Sequence, residues 1–222
     1  MTTISSSKQI HSAESKTSDR VTAGVLFYFA AALFLLLTTV SESMYPNFSL
    51  QTNAISDLAA MGTRTAPIEE TAILGLGICW SVGAYYLFRN TNRKGLMILN
   101  VLPGIGFTIA GLSPENVNVV IHSIGTVAFP IGAIAVIASY KMINSPLRYL
   151  SLALGAISLV STFFIFAGYR LVCGTCGYQQ GMSETLLGLG GWESLIIYPI
   201  LIWLMGFGSY VLATSTRRGT LQ

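Results

Sequence analysis

Six long apolar segments, separated by polar connections, account for most of the chain. They run from Val21 to Val40, Thr71 to Phe88, Gly95 to Leu112, Val117 to Tyr140, Leu147 to Tyr169 and Trp192 to Ala213. Each is near the ~20 residues an α-helix needs to cross about 30 Å of hydrocarbon. Lipid cannot hydrogen-bond an open backbone group, so a crossing segment satisfies its own bonds as a helix. A β-barrel would need shorter segments of alternating polarity, and the sequence has none. The pattern predicts an all-α, polytopic membrane protein: a bundle of six transmembrane helices over 21–214. Residues 1–20, rich in Ser and Thr and poor in large apolar side chains, read as a disordered tail. Residues 215–222 form a second, short tail. Val21 to Val40 is long enough to span and lies too far from the start for a cleaved leader, so it reads as a retained helix.

Composition sharpens this picture. Only 9% of residues are charged, 52% are hydrophobic and the mean hydropathy is +0.64. A soluble domain carries about 25% charged residues. The charges are also sorted by sign. Lys8, Lys16, Arg20, Arg89, Arg93, Lys94, Lys141, Arg148, Arg217 and Arg218 fall on one side of the implied membrane, with Glu14 and Asp19. The other side has Arg64 and Arg170 against Glu42, Asp57, Glu69, Glu70, Glu115, Glu184 and Glu193. By the positive-inside rule the basic side is cytoplasmic, which puts both termini inside and the chain in the cell membrane. A net charge of +3, distributed this way, gives no reason to expect a nucleic-acid partner. Membrane lipids are the expected neighbours.

The long outer connections hold the residues suited to chemistry. His122 is the one histidine inside a span, and an ionisable residue in a span marks a candidate functional site. If the fourth helix starts early enough, Glu115 and His122 share one of its faces about two turns apart. Glu193 opens the sixth span, where the helix dipole favours an acid and Trp192 anchors the interface. Asp57 lies in Asn53-Ala54-Ile55-Ser56-Asp57-Leu58, where Ser56 or Asp57 suits the cap of a short re-entrant helix. The apolar patch Ala54-Ile55 and Leu58 to Met61 predicts that this loop folds back on the bundle. Tyr45, Asp57, Glu115, His122 and Glu193 all map to the outer leaflet or its edge. Carboxylates around one histidine can do general acid/base work or bind a divalent metal; a zinc site is the weaker option, because there is no paired-histidine motif. The glycines 188, 190 and 191 follow no predicted strand, so they lack the context of a dinucleotide fingerprint.

Cys173-Gly174-Thr175-Cys176 faces an oxidising compartment in this topology, and a disulfide that stiffens the loop is favoured over redox or metal roles. Cys79, in mid-span, reads as a small apolar packing residue. Asn47-Phe48-Ser49 is a glycosylation sequon on the outer side, too close to the membrane to be used. Pro103, Pro130 and Pro199 fall inside spans, where proline is tolerated and often kinks the helix.

An ordered set of short elements carries a resemblance. Ser41 to Pro46 is followed by Asn53, Ile55-Ser56-Asp57-Leu58, Ser113-Pro114-Glu115-Asn116, His122, Gly190-Gly191-Trp192-Glu193, Tyr198-Pro199 and Trp203. Together they resemble the prokaryotic membrane family called domain of unknown function 998, over nearly everything after the tail. The resemblance implies a six-span integral membrane protein and carries no reaction with it. A more distant similarity, on the Ile-Ser-Asp element and the later histidine, is to six-span proteins of the Frag1/DRAM/Sfk1 group, some of them linked to remodelling of lipid anchors. The chain departs from the family pattern at Ser194, where a basic residue follows the glutamate, so no charge pair at Glu193 carries over.

Two functions fit these residues. One is a membrane-embedded enzyme or lipid-binding protein, with Asp57, Glu115, His122 and Glu193 as its site and a lipid or lipid-linked group as ligand. The other is a non-catalytic scaffold or accessory subunit whose polar residues only satisfy loops and helix ends. A transporter or channel is disfavoured. It needs polar groups at mid-membrane depth, where Asn100 is the nearest candidate, and the chain shows no internal repeat.

Overall fold

The computed structural model of the chain describes residues 3–175 and 177–219. Among them there is no β-strand, and six helices are long and apolar enough to cross a membrane. Helix α1 runs Thr3–Met44, α2 Ala66–Phe88 and α3 Lys94–Leu112. The fourth crossing is divided between α4 (Val119–Thr126) and α5 (Ala128–Ala138), and ends in a 3-10 turn, Ser139–Met142. Helix α6 runs Leu147–Val172, the short α7 Tyr178–Ser183 and α8 Gly188–Gly219.

Three boundaries differ from the sequence reading. Residues 3–20, expected to be disordered, continue α1 as helix. A span that has already nucleated a helix extends it at little cost per added residue. The tail is also anchored: the buried Asp19 carboxylate accepts from Arg89 Nε and Asn90 Nδ2, both at 2.7 Å. The fourth helix breaks at Val127 because Pro130 has no N–H to donate to Thr126, four residues earlier, and its ring crowds that carbonyl. The last helix begins at Gly188, a full turn before Trp192.

The crossings form a closed ring. Each packs on its neighbour in sequence, α1 on α2, α2 on α3, α3 on α4 and α5, α5 on α6 and α6 on α8, and α8 returns to α1. With no hydrophobic drive between helices in lipid, close contact depends on small residues and polar bonds. A Cβ on Gly104 would come within 2.5 Å of the Gly77 carbonyl, so α2 and α3 cross backbone to backbone. Ser158 donates to the Ile196 carbonyl at 2.9 Å and Trp203 Nε1 to Ser151 Oγ at 2.9 Å, tying α6 to α8. Inside the ring Trp80 stacks on Phe107, with centroids 6.1 Å apart, and Phe107 meets Phe129 at 5.9 Å. Asn100 is buried, and its amide donates to its own helix at Leu96 O, 3.0 Å away. The outer faces of the helices expose Phe29, Leu36, Ile98, Val160, Phe163 and Ile202. That apolar coat is far larger than soluble monomers show. The chain is a multi-pass membrane protein.

Candidate functional site

At the acidic end the first long connection folds back on the bundle, as its apolar patch predicts. The 3-10 helix Ile55–Ala59 buries Ile55, Leu58 and Ala59, whereas Met61 stays exposed. Two carboxylates hold the start of this helix. Asp57 Oδ2 accepts from the Ala54 N–H at 3.0 Å and from Asn53 Nδ2 at 3.3 Å. Glu193 Oε2 accepts from the Ile55 N–H at 2.5 Å. Glu193 therefore does not serve the start of its own helix. It lies in the second turn of α8 and reaches across to the loop.

The glycine-rich stretch makes that reach possible. Gly188 has a φ of +68°, and a Cβ there would lie 2.3 Å from Gln51 Cα. A Cβ on Gly190 would lie 2.2 Å from the Asn53 carbonyl. The Gly191 N–H donates to Leu50 O at 3.1 Å, and Gln51 Nε2 donates to Ser183 O and Thr185 O at 2.6 and 3.0 Å. These glycines are a docking surface for the first loop. Trp192 is packed as well as interfacial: it stacks on Phe164 with centroids 4.4 Å apart and donates to Thr185 Oγ1 at 3.1 Å.

On the opposite wall Asn118 caps α4 by accepting the Ile121 N–H at 3.1 Å. This cap starts the helix at Val119, so Glu115 lies in the preceding turn and not on a helical face shared with His122. Asn116 clamps that turn to the first loop, accepting from the Met61 N–H and donating to its carbonyl, each at 3.0 Å. His122 is buried, with Nδ1 3.0 Å from Ser113 O. A carbonyl only accepts, so Nδ1 carries a proton, and in the neutral imidazole the open lone pair is then on Nε2. That nitrogen makes no hydrogen bond among the described residues.

A cavity of about 390 Å³ lies between these walls, in the gap between α4 and α6. Asp57, Glu115, His122 and Glu193 all line it, so the fold brings the four sequence candidates to one space. Ser56 joins them, its hydroxyl without a hydrogen bond among the described residues. The apolar part of the lining is Phe129, Ile165, Phe166 and Leu189, and Tyr178 and Gln179 line the cavity as well. The cavity adjoins a small recess of about 30 Å³, walled by Phe34, Ile73, Phe107 and Ile197, with Ser56, His122 and Glu193 lining both. Helix α4 packs on α3 and makes no extended contact with α6 or α8. The cavity wall on that side is therefore not closed by helix packing. Tyr45 lies apart, beside Arg64 and Thr65. Among the described residues no three of His, Cys, Asp and Glu gather in a metal-binding arrangement. The chemistry on offer is hydrogen bonding and proton acceptance at His122 Nε2.

The family described as "Protein of unknown function (DUF998)" matches residues 28–210. The chain belongs to it. Neither a curated protein nor a solved structure matches the chain. Within this DUF998 member most of the short elements of the resemblance lie at the acidic end, where Ser113, Asn116 and Gly190 support the cavity that Ser56, Asp57, His122 and Glu193 line, whereas Trp203 bonds Ser151 near the start of α6. Ser194 donates to its own helix at Gly190 O, 2.7 Å away.

Two features escaped the sequence reading. Glu69 precedes the span expected from Thr71, yet α2 begins at Ala66 and Glu69 is fully buried in it. Its signal was present in the spacing of Thr38, Ser41 and Glu42, which puts three oxygens on one helical face. Ser56 was read only as a cap. In the disulfide reading, Cys173 is disulfide-bonded and Cys79 is free, while Cys176 lies outside the described residues.

Proposed function

We propose that this protein binds a lipid or lipid-linked group in the acidic-end cavity, taking it laterally from the outer leaflet of the cell membrane. The observation that carries the reading is the mixed lining of the cavity. Ser56, Asp57, Glu115, His122 and Glu193 are available to a head group, and Phe129, Ile165, Phe166 and Leu189 to the first carbons of a chain. Sites for small molecules combine a mostly apolar wall with a few convergent polar groups in this way. The gap between α4 and α6 is the approach route from lipid. The basic connections, by the positive-inside rule, put this end outside.

The lining contains three carboxylates and no Lys or Arg. It suits a hydroxyl-rich or amine-bearing head group better than a bare phosphate. His122 Nε2 would accept a hydrogen bond from that head group and is the atom to act as a general base if the bound group is processed. A purely structural role has support at Asp57 and Glu193, whose carboxylates already hold backbone amides. It has none at His122 Nε2 or the Ser56 hydroxyl, which hold nothing.

The test is native mass spectrometry of the full chain released from lipid nanodiscs, comparing wild type with Ser123→Trp. Ser123 is an exposed cavity-lining residue, so an indole there fills the space without entering the core. Wild type should retain one lipid that the variant loses. Equal retention by both would overturn the reading.

A further inference from the structure

A second cavity, of about 470 Å³, opens at the basic end. Helix α1 supplies Arg20 to its lining, the turn from α2 to α3 supplies Arg93, the connection after α5 supplies Asn144, and α8 supplies Tyr210. Leu87, Phe207 and Val211, all buried, form its apolar part. Along α8 the lining runs from Phe207 to Thr214, so the space reaches about two helical turns into the bundle. None of the lining residues is Asp or Glu.

The polar lining consists of donors. Arg20 is fixed against α8 by neutral hydroxyls: its Nη2 donates to Thr214 Oγ1 at 3.1 Å and its Nε to Ser215 Oγ at 3.4 Å. Arg93 engages its backbone N–H, which donates to Thr91 Oγ1 at 3.3 Å. Its guanidinium makes no hydrogen bond or ion pair among the described residues. The Tyr210 hydroxyl accepts from the Asn144 N–H at 3.2 Å. Its own proton, like the side-chain amide of Asn144, meets no acceptor among the described residues. Asp19, the acid next to Arg20 in the chain, lines a smaller adjoining space, and its carboxylate is taken by Arg89 and Asn90. Open donors around a cavity without a carboxylate match a ligand rich in acceptor oxygens and negative charge. Arginines that only orient a chain in the membrane need no cavity.

We propose that this basic-end cavity binds a phosphate group, carried by an anionic lipid head group or free in solution. Arg20 and Arg93 match its charge, and Tyr210 and Asn144 donate to its remaining oxygens. A guanidinium is planar and binds phosphate oxygens in pairs. Basic pockets between helices on the cytoplasmic side hold anionic lipid head groups. The apolar part of the lining would take the first carbons of a lipid chain, and a free phosphate would use the polar part alone. Once occupied, the site ties α1 and α8 to the two connections between them and stabilises the basic end. It lies at the opposite end from the acidic cavity and does not depend on that cavity binding lipid.

The experiment is thermal unfolding of the purified full chain in neutral detergent. One arm adds phosphatidylglycerol in mixed micelles, and the other adds inorganic phosphate against sodium chloride at equal ionic strength. The midpoint should rise saturably in at least one arm, by at least ~4 °C at the plateau. A rise with phosphatidylglycerol alone assigns a lipid head group, and a rise with inorganic phosphate assigns the free anion. Arg93→Gln should raise the half-saturating concentration about tenfold, and Tyr210→Phe about threefold. Lys94→Gln removes a neighbouring exposed charge that does not line the cavity, and should bind as wild type does. No rise in either arm would overturn the proposal, as would an equal weakening by Lys94→Gln and Arg93→Gln. A rise that survives Arg93→Gln and disappears in Ser123→Trp would overturn it too, and assign the lipid to the acidic-end cavity.

Discussion

Because a carbonyl oxygen can only accept, Ser113 decides which nitrogen of His122 is free. That single bond turns a buried histidine into a directed acceptor at the cavity wall. His122→Asn should separate the two roles, since the amide can still donate to Ser113 O while the group at the Nε2 position is lost. We expect the Asn variant to unfold within a few degrees of wild type and to lose lipid retention, measured by thermal unfolding and native mass spectrometry together. Unimpaired retention in His122→Asn would remove Nε2 from the site. Glu193 is a different case, because its carboxylate is committed to the Ile55 amide. Glu193→Ala strands that buried N–H and should cost about 1–3 kcal/mol, seen as a lower unfolding temperature and faster hydrogen exchange at residues 54–58. Unchanged exchange there would show that the bond does not hold the loop. His122, Asp57, Glu115 and Glu193 were legible as chemistry-capable residues from type and depth alone. What each one binds was not, because capping partners come from loops whose course the sequence does not state.

Among the elements, those set by composition were legible and those set by contact were not. Six apolar runs announce six helices, since lipid leaves the backbone no other way to satisfy itself. The break between α4 and α5 was visible only as a proline inside a span; that it falls at Val127 follows from the carbonyl Pro130 leaves unpaired. The start of α8 depends on Gly188, Gly190 and Gly191 meeting the first loop, a tertiary fact that a glycine-rich stretch does not disclose. Gly190→Ala tests that contact. Its methyl would lie 2.2 Å from Asn53 O, a backbone atom with little room to yield, so the loop must shift. We expect a loss of about 1–3 kcal/mol and new protease sensitivity in residues 45–60, read by limited proteolysis. Wild-type resistance in this variant would mean that the loop docks by other contacts.

On the scale of the whole molecule, a closed ring of helices separates a basic end from an acidic one. The ring is stitched by near-backbone contacts and a few interhelical hydrogen bonds, while the acidic end holds the cavity and the buried Glu69 and Glu193. Charge sorting announces the two ends in the sequence itself. The convergence of four candidates on one cavity required the fold, because they come from the first loop, the turn before α4, α4 itself and α8. The most direct test of a lipid-binding cavity is to irradiate the reconstituted full chain with a phospholipid carrying a photoreactive group beside its head group and to map the adducts by peptide sequencing. The account predicts adducts on Ser56, Ser123, Phe166 and their neighbours in the α4–α6 gap, competed away by excess unlabelled lipid. Adducts spread evenly over the lipid-facing surfaces of all six crossings, and unaffected by competitor, would contradict it.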